Sequence, residues 1–413
     1  MVPFLISLLF VFLLGACVGS FLNVVVWRLP RGESLIKPPS HCPKCNTHLA
    51  WYDNVPIFGW IVLKGKCRYC KASISARYPI VEAITALIFA GYYSITFGLN
   101  QGMIGTQSMS GNPAIFVRDW PIFFLYMWLL SALLASSLID AELFIIEPSV
   151  VWLTGILGIL FHCFINSPDM PGTLSTITHS TAAFSLGGGI GWFISGILWY
   201  LGKLPVSFVK GEPILEAQRA DFEREIRDAR KRGENIPPLP PVYTSRQIRM
   251  EVLKEALFLT PGILLGFACL WLTAPGRPLD GFWQKMMHNT ALRGLLGSLF
   301  GGMIGGLTIW IARILGTLGF GRVAMGRGDA DLMFAVGAVL GASASVYIFF
   351  AAPFFGILTA LYLFFRRKQI EIPYGPYLSM ATAAVIIFYR AIDSYFNPGL
   401  SAFTILLQKI GLC

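Results

Sequence analysis

Gly326-Arg327-Gly328-Asp329 stands where the chain is about to enter a further apolar stretch. A carboxylate near bilayer depth is costly and, when present, tends to be functional. Asp329 therefore sets how the rest of the sequence is read. A second aspartate, Asp140, closes the apolar run Phe123 to Ile139. Two carboxylates placed alike suggest a pair that works together. Carboxylates in close contact do not both ionise easily, so one holds a proton while the other acts as base. Such a pair activates a water against a peptide carbonyl and protonates the departing amine. Gly326 and Gly328 would let the backbone approach a substrate closely. The plainer alternative is two interfacial aspartates capping helices, with Asp329 capping a helix that begins near Ala330.

Composition supplies the surroundings. The 413 residues are 55% hydrophobic and only 13% charged, whereas a soluble domain carries about 25% charge. Several apolar runs reach the ~20 residues that span a bilayer. The expected fold is an all-α polytopic membrane protein, and a single soluble core is excluded. About ten transmembrane helices are predicted, over 4–27, 79–97, 120–139, 149–166, 181–201, 256–273, 294–316, 331–343, 345–365 and 374–391. Gly341-Ala342-Ser343 is either a tight turn or a kink between two of them. Leu14-Gly15-Ala16-Cys17 looks like a lipoprotein cleavage box, but no positive charge precedes the apolar run, as a secretory signal needs. It is read as a retained first span.

Orientation follows from the lysine and arginine bias. The loop from Arg28 to Arg77 carries nine basic residues, counting both ends, which places it in the cytoplasm. Alternation then puts 202–255 and Arg366-Arg367-Lys368 on the same side, and the charge-poor loops 98–119, 167–180 and 274–293 outside. Both aspartates fall at the cytoplasmic boundary and at similar depth. The net charge of +10 is accounted for by these loops, so no nucleic acid is expected as a partner. Within 202–255, Pro213 to Arg232 predicts a charged helix, and Pro237-Pro238-Leu239-Pro240-Pro241 an extended spacer. Gly187-Gly188-Gly189 and Gly301-Gly302 open two glycine-rich spans, which close helix packing explains.

Four of the eight cysteines form two knuckles, Cys42-Pro43-Lys44-Cys45 and Cys67-Arg68-Tyr69-Cys70. The 21 residues between them are close to the spacing of a four-cysteine zinc site. Four thiolates suit a tetrahedral, structural zinc, and the loop between has few residues with which to build a core. Disulfides are the alternative, which a cytoplasmic loop disfavours. His41 and His48 are read as surface residues.

At this point the sequence resembles a known family. Gly19-Ser20-Phe21-Leu22-Asn23-Val24-Val25-Val26-Trp27-Arg28-Leu29-Pro30 looks like the start of type IV prepilin peptidases. So do Trp51-Tyr52-Asp53-Asn54-Val55-Pro56 and Ile74-Ser75-Ala76-Arg77-Tyr78-Pro79-Ile80-Val81-Glu82. Leu138-Ile139-Asp140 and Gly326-Arg327-Gly328-Asp329 resemble that family's two catalytic aspartate motifs. The resemblance implies a multi-pass enzyme of the bacterial inner membrane, with its active site on the cytoplasmic side. It would cut the leader from prepilins or pseudopilins. It also implies N-methylation of the new N-terminus with S-adenosylmethionine, and contacts with pilus or type II secretion machinery.

Three departures stand out. Glu147-Pro148 occupies the place of a Pro-Asp pair. Asp331 stands where a lysine is usual. About 167–293 reads as an insertion carrying two extra spans and the charged segment. The resulting division is a first helix at 1–27, a cysteine loop at 28–78, membrane cores at 79–166 and 294–391, the insertion between them, and a tail at 392–413. Glu142 and Asp331 are rival acids, each two residues beyond its aspartate. The departures also admit another reading, a zinc-stapled membrane scaffold with altered catalysis that serves pilus or secretion assembly.

Overall fold

Each predicted apolar stretch forms a helix in the computed structural model, which describes residues 2–101, 103–106, 113–165, 178–205, 207–208, 214–215, 242–365 and 373–409. The helices are α1 (Val2–Arg28), α2 (Phe58–Val62), α3 (Arg77–Tyr93), α4 (Phe116–Leu143), α5 (Pro148–Phe164), α6 (His179–Tyr200), α7 (Ser245–Leu272), α8 (Asp280–Met286), α9 (Thr290–Phe320), α10 (Arg327–Leu340), α11 (Ala342–Phe365) and α12 (Gly375–Lys409). Among the described residues, seven are long and apolar enough to cross a membrane: those of α1, α3, α4, α6, α7, α9 and α12. Pro148–Phe164 and Ala342–Ile357 are shorter apolar helices.

Helix ends follow local chemistry. Thr178 and Thr244 open α6 and α7 with reciprocal capping boxes, each satisfying two backbone donors that helix geometry leaves over. Asn289 accepts from the Ala291 and Leu292 N–H groups at the start of α9. Gly341 divides α10 from α11 at φ +90, a backbone that residues with a Cβ rarely adopt. The turn reading of 341–343 therefore holds. Pro213 to Arg232 lies almost wholly outside the described residues. Its described part, Ile214–Leu215, is not helical but pairs in parallel with Val242–Tyr243. The Pro237 to Pro241 spacer also lies outside them.

The chain divides into two compact units. One takes in Met1–Phe161, Ser167–Pro171 and Tyr347–Cys413; the other takes in His162–Asn166 and Gly172–Val346. In the first, α1 lies against α3 through missing side chains. A Cβ at Gly15 would meet the Ala86 Cα at 2.8 Å, and one at Gly19 the Glu82 Cα at 2.7 Å. Small residues four apart let membrane helices approach this closely. Leu22, Val25 and Val26 of α1 then cluster with Val81 of α3 and with Ala135 and Ile139 of α4. Hydroxyls tie in α12: Tyr92 Oη donates to the Ala383 carbonyl at 2.5 Å, and Ser137 Oγ to Ser379 Oγ at 2.8 Å.

The second unit repeats the glycine device in both of its glycine-rich helices. Gly187 and Gly191 of α6 face the backbone of Leu265, Pro261 and Gly262 on α7. Gly301 and Gly305 of α9 face the carbonyls of Gly337 and Met333 on α10. Ser298 Oγ adds a 2.5 Å bond to the Ala338 carbonyl. Helix packing thus accounts for both glycine runs.

Candidate functional site

The cysteine loop is built from two turns of one design. Cys42 N–H donates to the Thr47 carbonyl at 3.0 Å, and Asn46 N–H to the Cys42 carbonyl at 2.8 Å. In the second turn Cys67 N–H donates to the Ala72 carbonyl at 2.8 Å, and Lys71 N–H to the Cys67 carbonyl at 3.0 Å. Asn46 and Lys71, each just after the second cysteine of its knuckle, turn the chain at φ +54 and +59. His41 and His48 pair across the first turn as a β-bridge. They take no part in the cluster.

All four sulfurs lie within 4.8 Å of one another, and none is in a disulfide. A thiolate-held tetrahedral ion with bonds of about 2.3 Å needs sulfurs about 3.8 Å apart. The Cys42 and Cys70 sulfurs lie 3.8 Å apart, so Cys42, Cys45, Cys67 and Cys70 are consistent with a metal site. Their surroundings favour thiolates unequally. Thr47, through its hydroxyl and its backbone, draws Cys45 down to about 6. The N–H groups of Cys70 and Tyr69 lower Cys67. The Ala72 N–H also lowers Cys70, but burial and the neighbouring thiols outweigh it and push the group up to about 11.

The motifs around the knuckles anchor this loop to the helices. Asp53 is buried and takes the Arg68 guanidinium at 2.7 Å; Arg68 also lies over the Tyr52 ring, 5.1 Å from its centroid. A Cβ at Gly59 would sit 2.5 Å from the Asp53 carbonyl, so only glycine fits there. Ile57 N–H donates to Glu82 Oε2 at 2.7 Å, and Asn23 Nδ2 to the Tyr78 carbonyl at 3.2 Å. Arg77 pairs with Glu142 at the end of α4. Glu142, a rival acid by sequence, is thus engaged by the loop that opens α3.

Asp140 lies in that last turn of α4 and is 6% exposed. Phe144 ends the helix in a left-handed conformation, and its N–H bonds to the Asp140 carbonyl at 2.9 Å. The carboxylate receives the backbone N–H of Gly375, the first residue of α12. A Cβ at Gly375 would stand 2.7 Å from Asp140 Oδ2. The sequence reading passed over Gly375; its signal is Pro373-Tyr374-Gly375-Pro376, a glycine between prolines just before an apolar run.

Asp329 is likewise 6% exposed. Its helix starts at Arg327 with Gly326 as cap, three residues before the expected start near Ala330. Asp329 therefore sits inside the first turn and is not the cap. Gly328, second in α10, is half-buried. A Cβ at Gly326 would lie 3.1 Å from Asp329 Oδ2, so this glycine makes room for the aspartate itself. Both carboxylates lie against a glycine at a helix start, where backbone donors and the helix dipole favour negative charge. Asp331 is half-buried within the field of Arg327, one turn earlier. Arg327 thus supplies positive charge near the place where the resemblance expects a lysine. Glu147 accepts from the Ser149 hydroxyl at 2.8 Å, and Pro148 begins α5. Glu147-Pro148 therefore reads as a helix opening. Asp140 belongs to the first compact unit and Asp329 to the second.

Comparison with known proteins bears on the N-terminal part. Residues 13–96 match the Bacterial Peptidase A24 N-terminal domain. The prepilin leader peptidase/N-methyltransferase of Myxococcus xanthus is 52% identical over 80 residues, 19% of this chain and 24% of that protein. The Stutzerimonas stutzeri protein of the same name is 32% identical over 174 residues, 37% of this chain and 53% of its own. The type 4 prepilin-like proteins leader peptide-processing enzyme of Escherichia coli is 46% identical over 93 residues, covering 18% and 35%. These matches span about half or less of the relatives' lengths. No solved structure matches the chain. The matched stretch holds the second half of α1, both cysteine knuckles, Asp53 with its arginine, and Glu82 on α3. Residues 13–96 thus carry the A24 peptidase N-terminal domain, and through it the chain is similar to the prepilin leader peptidase/N-methyltransferase family.

Proposed function

We propose that the protein is a membrane aspartic endopeptidase that removes the leader peptide of type IV prepilins or pseudopilins at the cytoplasmic face of the bacterial inner membrane. Asp140 and Asp329 are the catalytic pair. The observation that carries this reading is their matching environment: each is a buried carboxylate held against a helix-opening glycine. That setting is costly for an idle charge and suits a group that trades protons with a bound water. One carboxyl, protonated, polarises the scissile carbonyl while the other takes a proton from water. The pair then returns a proton to the leaving amine. The proton belongs to the pair and not to either residue.

The cysteine cluster holds a structural zinc in this reading, because four thiolates close its coordination and leave no position for substrate. In this reading α1, α3 to α7 and α9 to α12 make the ten crossings, and the basic loops mark the cytoplasmic side. N-methylation is supported by the relatives' names, and S-adenosylmethionine as its methyl donor comes from the family resemblance alone. The cavity of about 200 Å³ beside the knuckles does not fit that cofactor: it is lined by Tyr52, Val55, Phe58, Gly59, Val62, Leu63 and Arg68. The Arg68 guanidinium would face a sulfonium, and no carboxylate there receives the ribose.

The test is cleavage of a synthetic prepilin leader peptide by the purified full chain. Wild type should release the leader, and Asp140→Asn and Asp329→Asn should each abolish release. Cleavage by either variant sinks the assignment; a silent wild type would favour the scaffold reading.

A further inference from the structure

Glu255 of α7 is 5% exposed, and Arg313 of α9 is 2% exposed. Arg313 Nε meets a Glu255 oxygen at 3.1 Å, and Nη2 meets the other at 3.1 Å. A buried pair of this kind is expensive to desolvate and survives only when its other donors and acceptors are placed as well. They are placed here. Trp310 Nε1 donates to Glu255 Oε2 at 2.9 Å, and Ser207 Oγ to Oε1 at 3.0 Å. Arg313 Nη1 donates to the carbonyl of Met325, the residue before Gly326.

The turn between α9 and α10 is held at further points. Thr317 Oγ1 accepts from the Ala324 N–H at 3.2 Å. Gly321 turns at φ +68, and a Cβ there would lie 2.9 Å from the Ser245 Cβ at the start of α7. Arg249 of α7 donates to the Gly319 carbonyl at 3.4 Å.

We propose that Glu255 and Arg313 are positioning residues for Asp329. Glu255 orients the guanidinium, and the guanidinium fixes the Met325 carbonyl. That carbonyl sets where α10 begins, and so where the carboxylate of its third residue lies. The segment 167–293, read above as an insertion, thereby becomes part of the site through Glu255. The catalytic consequence rests on the peptidase reading; the tether to the turn does not.

The experiment uses the full chain in detergent and the double variant Glu255→Leu/Arg313→Met, which removes both charges and keeps apolar volume. Backbone hydrogen exchange over residues 321–328 should rise about tenfold or more, with α9 up to Trp310 unchanged. On a synthetic leader peptide kcat should fall about 100-fold, the scale of a 1 Å misplacement, while KM stays within about twofold. Should the double variant fail to fold, Glu255→Gln carries the same two readouts, since it keeps an acceptor oxygen and loses the charge. Unchanged exchange overturns the tether. Raised exchange with unchanged kcat, or a rise in KM alone, overturns the positioning role. Raised exchange in a chain whose wild type cuts no leader peptide supports the tether and removes the peptidase reading.

Discussion

Gly375 shows how much one missing side chain can carry. Its N–H reaches the Asp140 carboxylate, and a Cβ would stand 2.7 Å from Oδ2. Gly375→Val should displace that carboxylate and lower kcat on a leader peptide by about 100-fold, with far-UV circular dichroism unchanged. Asp331 makes a different point. Arg327 lies one turn before it on α10, and like charges at that spacing repel by about 0.2–0.5 kcal/mol. Asp331→Lys should therefore lower the thermal midpoint slightly, and Asp331→Lys/Arg327→Asp should restore it. An equal loss in both variants would show that the pair does not interact. Neither feature was legible beforehand. Gly375 lies 235 residues from Asp140, and no local pattern marks which distant carboxylate a glycine will serve. Asp331 was visible as a departure, but its compensation needed the helix to start at Arg327.

At the scale of elements, the α1–α3 contact lends itself to a test of packing. Gly15 and Gly19 leave no space for side chains against Ala86 and Glu82. Overpacking a tight contact costs typically 1–3 kcal/mol, so Gly19→Val should lower the melting temperature in detergent clearly, while Gly91→Ala, where open space surrounds the added methyl, should change it little. Much at this scale could be read from sequence. Apolar length announced the helices, and glycine runs announced close approach. The cysteine spacing announced the knuckles, because metal-ligating turns are local structures with fixed offsets. The Glu255–Arg313 pair escaped notice, since its partners lie 58 residues apart in apolar surroundings. Sequence alone does not divide 331–365 at Gly341, because only backbone conformation distinguishes a turn from a kink.

For the whole molecule, Asp140 and Asp329 belong to different compact units, and the proposed reaction requires them to act as one. Residues that act as a unit show non-additive losses. The double variant Asp140→Asn/Asp329→Asn should be no less active than either single variant. Losses that multiply would mean that each aspartate acts alone. The cysteine loop gives a second test on this scale. The purified chain should carry one zinc per molecule by elemental analysis, and Cys42→Ser/Cys67→Ser should carry none. Apparent binding of structural zinc is worth about 10–16 kcal/mol in small peptides. Chelation should therefore open residues 28–78 to protease while the long helices keep their circular dichroism. Persistence of the loop without metal would show that Asp53, Arg68 and Glu82 suffice to hold it.

The place of that loop in the chain has a further consequence. Both knuckles are complete once residue 70 has been made, when only one of the membrane-length helices exists. Chains are made at about 5–20 residues per second and fold from the N-terminus onward, so both knuckles are made ahead of α4 and every helix after it. In the zinc reading proposed above, an ion could be bound during synthesis, before Asn23, Tyr78 and Glu82 close around the loop. That reading predicts that metal supply during translation, more than during turnover, governs the yield of folded chain, which expression with and without added zinc would check.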